Sequence, residues 1–323
     1  MLGEPWRMKS ILSSLLLLWI LAAPLAAQNE GVARNPAPAA QTSTDTNRIK
    51  VRVDLVNVMF TVNDKKNRFV IDLTKDDFRV LENSKPQQVR FFSRESNLPL
   101  RIGLLIDTSN SIRDRLRFEQ EAAVDFLSSV LVPKRDMAFV VGFDVESQLA
   151  HDYTDNVDKL AQVIRSLQAG GGTALYDAIY NACKEKMLFF PPPEPYLRRV
   201  MILISDGLDN QSEHTRDEAL AMAQRGEVTI FAISTNRSGT AIRGDKVLKH
   251  LAEQTGGRAF FPFAAVDLAA NFQEISRELR SQYSLAYVST NPARDGTFRS
   301  ILIEPREKGM RVRAKSGYFA PSQ

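Results

Sequence analysis

The sequence predicts an α/β fold, a doubly wound and mostly parallel sheet with helices on both faces, accompanied by a small β-sandwich-like domain. Three observations predict it. From residue 98 to 282, short apolar runs alternate with stretches of helical period, the pattern of a parallel sheet with crossover helices. Two of those runs, 98–106 (LPLRIGLLI) and 200–204 (VMILI), are apolar enough for buried strands and lead into acidic turns. On either side, 49–97 and 283–323 break into short alternating segments separated by turn residues, which points to a sandwich.

The chain opens with Arg7 and Lys9 ahead of an apolar run at 11–23 and small residues at 24–28. This reads as a secretory signal peptide, 1–27, and the run is short for a membrane span, which needs about 20 residues. The expected location is therefore secreted, or periplasmic and cell-envelope, with no transmembrane span after cleavage; an uncleaved anchor is the alternative. Residues 28–48, rich in Ala, Pro, Gln, Ser and Thr, form a disordered linker. The N-terminal β-module, 49–97, begins with Ile49, Val51, Val53 and Leu55 on one face. It continues into Val58, Phe60 and Val62, turns at 63–67, and adds short elements at 73–80 and 88–93. At about 50 residues it is small for an independent fold without disulfides. Strands expected at 283–288, 298–304 and 311–314 supply a partner, so that both ends form one β-domain around an inserted α/β domain, 98–282. In the alternative, the tail extends the edge of the central sheet.

Within 98–282 the first strand leads to a helix over 112–131, a strand at 137–143 and a short edge strand at 148–151. A helix over 156–167 sets Val157, Leu160, Ile164 and Leu167 at helical spacing. A glycine-rich loop at 170–173 precedes a helix over 174–187, and 191–195 (PPPEP) is a stiff connection. The strand ending at Asp206 follows, then a helix over 214–225 and a strand at 228–233. A helix over 245–255, a short strand at 258–261 and a last helix over 266–280 complete the domain.

Composition narrows the function classes. Hydrophobic residues at 44% and charged residues at 25% are ordinary for a globular chain. The net charge of +4 comes from Lys and Arg scattered among acids, with no basic stripe or stacking motif, which argues against nucleic acid as partner. Cys183 is the only cysteine, so no internal disulfide forms, and its apolar neighbours predict a buried, inert thiol.

The chemistry concentrates at the strand ends. Asp107, Ser109 and Ser111 occupy alternate positions of a strand-to-helix loop, outside the carboxyl end of a strand, where open α/β sheets place ligands. An acid and two hydroxyls so spaced suit a hard cation with oxygen ligands; they are equally ordinary helix caps. Two later loops favour the cation: Gly170-Gly171-Gly172-Thr173 adds a hydroxyl, and Ser205-Asp206-Gly207 adds an acid.

That constellation, in that order, resembles the von Willebrand factor type A domain and its metal-ion-dependent adhesion site, from about residue 98 to about 282. The resemblance implies a Rossmann-like sheet. It also implies a metal site with Asp107, Ser109 and Ser111 as first-loop ligands, Thr173 as second-loop ligand, and Asp206 as a third-loop residue often acting through water. Residues 73–83 (LTKDDFRVLEN) are similar to the β-module ahead of this domain in a group of bacterial exported proteins. Neutral hydroxyl ligands leave most of the cation's charge uncancelled, favouring Mg²⁺, with Mn²⁺ fitting the same cage. One outward position is then open to a carboxylate, so the expected partner is a protein or matrix ligand offering Asp or Glu. The expected function is metal-dependent protein binding or adhesion; the alternative is an envelope scaffold or assembly subunit whose metal is only structural.

An enzyme is not expected. Aspartate-based phosphoryl transfer would want an acid two positions after Asp107, where Ser109 stands. There is no G-x-S-x-G elbow, and His151, His214 and His250 lack metal-ligand spacing. Asp209 reads as a turn or helix-cap residue, and Asp144 and Asp177 as structural or solvated.

Overall fold

The computed structural model describes residues 55–95, 97–188, 197–236, 238, 240–262 and 265–322. The signal-peptide and linker readings, the alternation before Leu55 and the Pro-rich connection lie outside these residues. Strands β1 (Leu55–Asn63), β2 (Phe78–Glu82), β3 (Lys85–Gln87) and β4 (Val89–Glu95) come first. The 73–80 segment divides into a 3-10 turn, Lys75–Asp77, and β2. Asp77 Oδ2 accepts both the N–H (2.7 Å) and the hydroxyl (2.9 Å) of Thr74, which fixes the turn. β2 and β3 join through Asn83 and Ser84, both at positive φ, the conformation a two-residue hairpin loop requires.

The central sheet contains β5 (Leu100–Asp107), β6 (Met137–Phe143), β7 (Ser147–Thr154), β8 (Arg198–Ser205), β9 (Val228–Ser234) and β10 (Ala259–Phe260). Their order is β10-β9-β8-β5-β6-β7, with every neighbour parallel except the antiparallel β6–β7 pair. Among the described residues, α1 (Leu116–Val130), α2 (Val157–Ser166), α3 (Leu175–Asn181), α4 (Arg216–Arg225) and α5 (Arg243–Gln254) lie between these strands in the chain, and α6 (Ala265–Leu279) follows β10. Period-two alternation assigns the faces. Ile102, Leu104 and Ile106 of β5 pack with α1, α2 and α6, whereas Leu105 packs with α3, α4 and α5. Apolar burial on both faces is what holds the doubly wound sheet together. From β5 the chain moves to β6 on one side and later returns to β8 on the other. The C-terminal ends of β5 and β8 therefore flank the switch point, where such sheets form a crevice.

Four boundaries differ from the sequence reading. α1 starts at Leu116 because residues 109–115 are taken up by a loop and a 3-10 turn, Asn110–Ile112. The helix expected over 174–187 becomes π-helical at Ala182–Met187, where the Leu188 N–H reaches the Cys183 carbonyl at 2.8 Å. α4 starts at Arg216, since Thr215 and Glu218 form a reciprocal capping box. β7 is longer than expected; as a polar, half-exposed edge strand it lacks the apolar run that marks a buried one.

The tail forms β11 (Gln282–Val288), β12 (Phe298–Pro305), β13 (Arg311–Ala314) and β14 (Gly317–Phe319). These strands pair with the N-terminal ones in two four-stranded sheets, β13-β1-β11-β4 and β14-β12-β2-β3, and not with the central sheet. Val58, Phe60, Phe78, Tyr283, Leu285 and Ile303 fill the space between, with Phe60 and Phe78 edge-to-face at 5.1 Å. The tail also ties the sandwich to the α/β body. Arg313 meets the buried Glu278 of α6 at 2.5 Å, Lys315 meets Glu227 at 3.0 Å, and the Ser316 N–H donates to the Gln254 carbonyl at 3.1 Å. Among the described residues no helix is long and apolar enough to cross a membrane.

Candidate metal centre

Three loops meet at the switch point, and hydrogen bonds join each to the other two. The first loop, after β5, meets the glycine-rich second loop through Gly170 N–H to the Thr108 carbonyl (2.7 Å) and Asn110 N–H to the Gly171 carbonyl (3.3 Å). The second meets the third, after β8, where Asn210 Oδ1 accepts the Thr173 N–H at 2.9 Å. The Thr173 carbonyl in turn accepts the Asn210 N–H at 3.0 Å. The first and third close the ring: the Ser111 hydroxyl donates to Asp206 Oδ2 at 3.0 Å, and the Ser205 hydroxyl to Asp107 Oδ2 at 2.7 Å. Ser109 Oγ lies 2.9 Å from Ser111 Oγ, and the Ser109 N–H donates to Asp107 Oδ1 at 2.9 Å.

The direct bonds thus chain Asp107 and Ser109 to Ser111 and Asp206, while Thr173 is held to the third loop through its backbone. Asp107, Ser109, Thr173 and Asp206 are buried and Ser111 is exposed, so the cluster opens to solvent on one side. Burial raises the Asp107 carboxyl to a pKa of about 6; bonds from Ser109 and Ser205 pull it down, and the nearby Asp206 pushes it up. Among the described residues, no Lys, Arg or His forms an ion pair with either carboxylate. Nor do three or more His, Cys, Asp or Glu cluster there as a metal cage. The donors are two carboxylates and three hydroxyls, all hard oxygens, a set that fits a small divalent cation.

Two glycines make the geometry possible. Gly207 sits at φ 76°, and a Cβ on Gly244, next to Arg243 at the start of α5, would lie 2.0 Å from the Asp206 carbonyl oxygen. Helix α5 therefore packs directly on the backbone of the third loop.

Ser205 and Asn210 carry weight that the residue pattern did not signal. Ser205 ends an apolar strand and supplies the only hydroxyl bonded to Asp107 Oδ2 among the described residues. Asp209 acts as a cap: its carboxylate accepts the Tyr176 N–H at 3.2 Å and the Ser212 hydroxyl at 2.6 Å, steadying the first turn of α3. Asp177 is structural, accepting the N–H groups of Glu213 and His214 at 2.9 Å each. His214 Nδ1 lies 2.6 Å from it, with the ring stacked 3.7 Å from Tyr180. Asp144 stands beside the second loop, its carbonyl accepting the Ala174 N–H at 2.6 Å. Cys183 is buried, which pushes its thiol well above the ordinary cysteine range.

Comparison with known proteins agrees with this architecture. The family model of the von Willebrand factor type A domain matches residues 102–278. The chain is similar to the human von Willebrand factor A domain-containing protein 3B, 27% identical over 165 residues, which span 50% of this chain and 12% of that protein. It is similar in structure to proximal thread matrix protein 1 from the mussel byssus with a zinc-occupied MIDAS motif. That match has a TM-score of 0.49 and 18% identity, and covers 61% of this chain and 49% of that one. The vWF domain of the type V pili tip protein Mfa5 from Porphyromonas gingivalis gives a TM-score of 0.47 and 16% identity, covering 57% of this chain and 96% of that one. With the family model spanning more than half of its length, the chain belongs to the von Willebrand factor type A domain family.

Proposed function

We propose that this protein binds a divalent cation, Mg²⁺ or alternatively Mn²⁺, and uses it to capture a carboxylate of a protein or matrix ligand. Asp107, Ser109, Ser111, Thr173 and Asp206 would hold the ion, which supplies a positive centre with an exchangeable outward position. The observation that carries this reading is the pair of buried carboxylates, Asp107 and Asp206, left without a basic partner among the described residues. Buried charge requires a counter-charge, and a small cation among oxygen donors supplies one. With three of the five donors neutral hydroxyls, the outward face of the cation stays electropositive, which suits an Asp or Glu from outside. The role is binding rather than turnover, and the place is outside the cytoplasm, secreted or at the cell envelope.

The test is capture of an extracellular ligand by immobilised protein in 2 mM MgCl₂, with EDTA and Asp107→Asn as controls. Under this reading EDTA releases the ligand, an excess of a short Asp-containing peptide competes for it, and Asp107→Asn fails to retain it. Equal capture under all these conditions would sink the reading and leave any metal a purely structural role.

A further inference from the structure

The parallel strands β5, β8, β9 and β10 all end on one face of the molecule, so the segments beyond β9 and β10 share that face with the metal loops. A cavity of about 370 Å³ opens there, lined by Ala241, Asp245, Lys246, Lys249, Phe261 and Pro262. Phe260 is buried in the core, but the next side chain, Phe261, is 49% exposed, a large aromatic surface turned to solvent. The one carboxylate of the wall is spent internally. Asp245 Oδ1 accepts the Ser234 hydroxyl at 2.6 Å, and Oδ2 accepts Asn236 Nδ2 at 2.8 Å and the Ile242 N–H at 3.0 Å. The charge facing outward is therefore that of Lys246 and Lys249, both exposed, with exposed Arg243 on the side of the third loop. Lys249 lies 3.8 Å from Glu253, but both side chains are more than half exposed, and such a pair is readily exchanged in water.

The cavity lies within reach of the metal loops. Gly244 packs on the Asp206 carbonyl and Lys249 follows five residues later, about 8 Å along α5, while Phe261 follows β10, two strands from β8 and so about 10 Å across the sheet. An extended ligand rises about 3.3 Å per residue, so two to four residues separate the two points.

We propose, resting on the metal-dependent reading above, that this cavity is a second contact for the same ligand. It takes an aromatic or large aliphatic side chain on Phe261, accompanied by an acidic residue for Lys246 and Lys249. The partner is thus an extended segment in which one Asp or Glu reaches the metal centre and an apolar–acidic pair lies two to four residues away. Charge complementarity makes an acidic segment the occupant, and the apolar floor makes it more than an acidic run.

Fluorescence anisotropy with defined ten-residue peptides in 2 mM MnCl₂ tests this on the full chain. One peptide carries a single Asp in a Gly/Ser background; others add Phe-Glu at spacings of two, three and four residues on either side. We expect at least a tenfold tighter Kd for the best Phe-Glu peptide than for the Asp-only peptide. Phe261→Ser should reduce that gain to less than threefold without changing binding of the Asp-only peptide. Lys246→Glu/Lys249→Glu, confined to exposed side chains, provides the same test should Phe261→Ser misfold. Manganese-dependent binding with no gain from Phe-Glu at any spacing overturns the cavity and leaves the metal reading standing. Binding indifferent to EDTA and to Asp107→Asn overturns the metal reading and the two-point ligand together, as does failure of every peptide at millimolar concentration.

Discussion

Asp107 pairs a fully buried carboxylate with a pKa raised to about 6, chiefly by desolvation. In metal-free protein the sign follows directly. Unfolding returns the group to an ordinary aspartate near 4, so between about pH 4 and 6 the folded state binds more protons than the unfolded state. Metal-free stability should therefore fall as pH rises through that window, by on the order of 2 kcal/mol. Carboxylates lowered by folding, such as Asp136, Asp152 and Asp177, act in the opposite direction and mainly below it. Asp107→Asn should flatten the rise seen in urea denaturation with EDTA between pH 7 and 4.5, and should be the more stable protein at pH 7. The same substitution should abolish cation binding. A variant that is both apo-stabilised and metal-blind is hard to reconcile with a purely structural aspartate; an unchanged pH profile would contradict the assignment.

At the scale of the element, the third loop is held from two sides. Asn210 and Asp209 fasten it to the second loop and to α3, and Gly244 lets α5 press against it. Asn210→Ala removes the acceptor for the Thr173 N–H and should weaken cation affinity about tenfold, with a stability loss near 1 kcal/mol. Calorimetric titration beside a thermal melt separates the two effects. Gly244→Ala puts a methyl group into the Asp206 carbonyl; α5 or the loop must shift, and cation binding should be lost with a drop in Tm of several degrees.

Apolar runs located β5, β6, β8 and β9 because strands covered on both faces have no polar side to confuse the pattern. Residue type and spacing singled out Asp107, Ser109, Ser111, Thr173 and Asp206, and the structure brings the three loops that carry them together. Ser205 and Asn210 were not singled out, because a serine closing a strand and an asparagine in a turn look ordinary until tertiary contact gives them partners. The start of α1 was misread for a similar reason: helical periodicity continued into residues that the loop claims for its own hydrogen bonds. β14 escaped because three residues are too short for any period.

For the molecule as a whole, the sandwich and the α/β body meet through buried charge as well as through backbone bonds. Glu278 on α6 has no exposed surface, and burial raises its pKa against the pull of Arg313. Arg313→Met leaves that carboxylate without its ion-pair partner and should cost about 3 kcal/mol by urea denaturation at pH 7. Lowering the pH toward 5 should recover part of the loss by protonating Glu278. A loss below 0.5 kcal/mol would mean that the pair contributes little to joining the two parts.

The proposed ligand capture at these loops depends on a bound cation, and calorimetric titration of the folded protein with MnCl₂ and MgCl₂ at pH 7.5 tests for it most directly. One site per chain is expected for wild type and none for Asp107→Asn. Absence of heat at millimolar metal, or equal binding by both proteins, would contradict it.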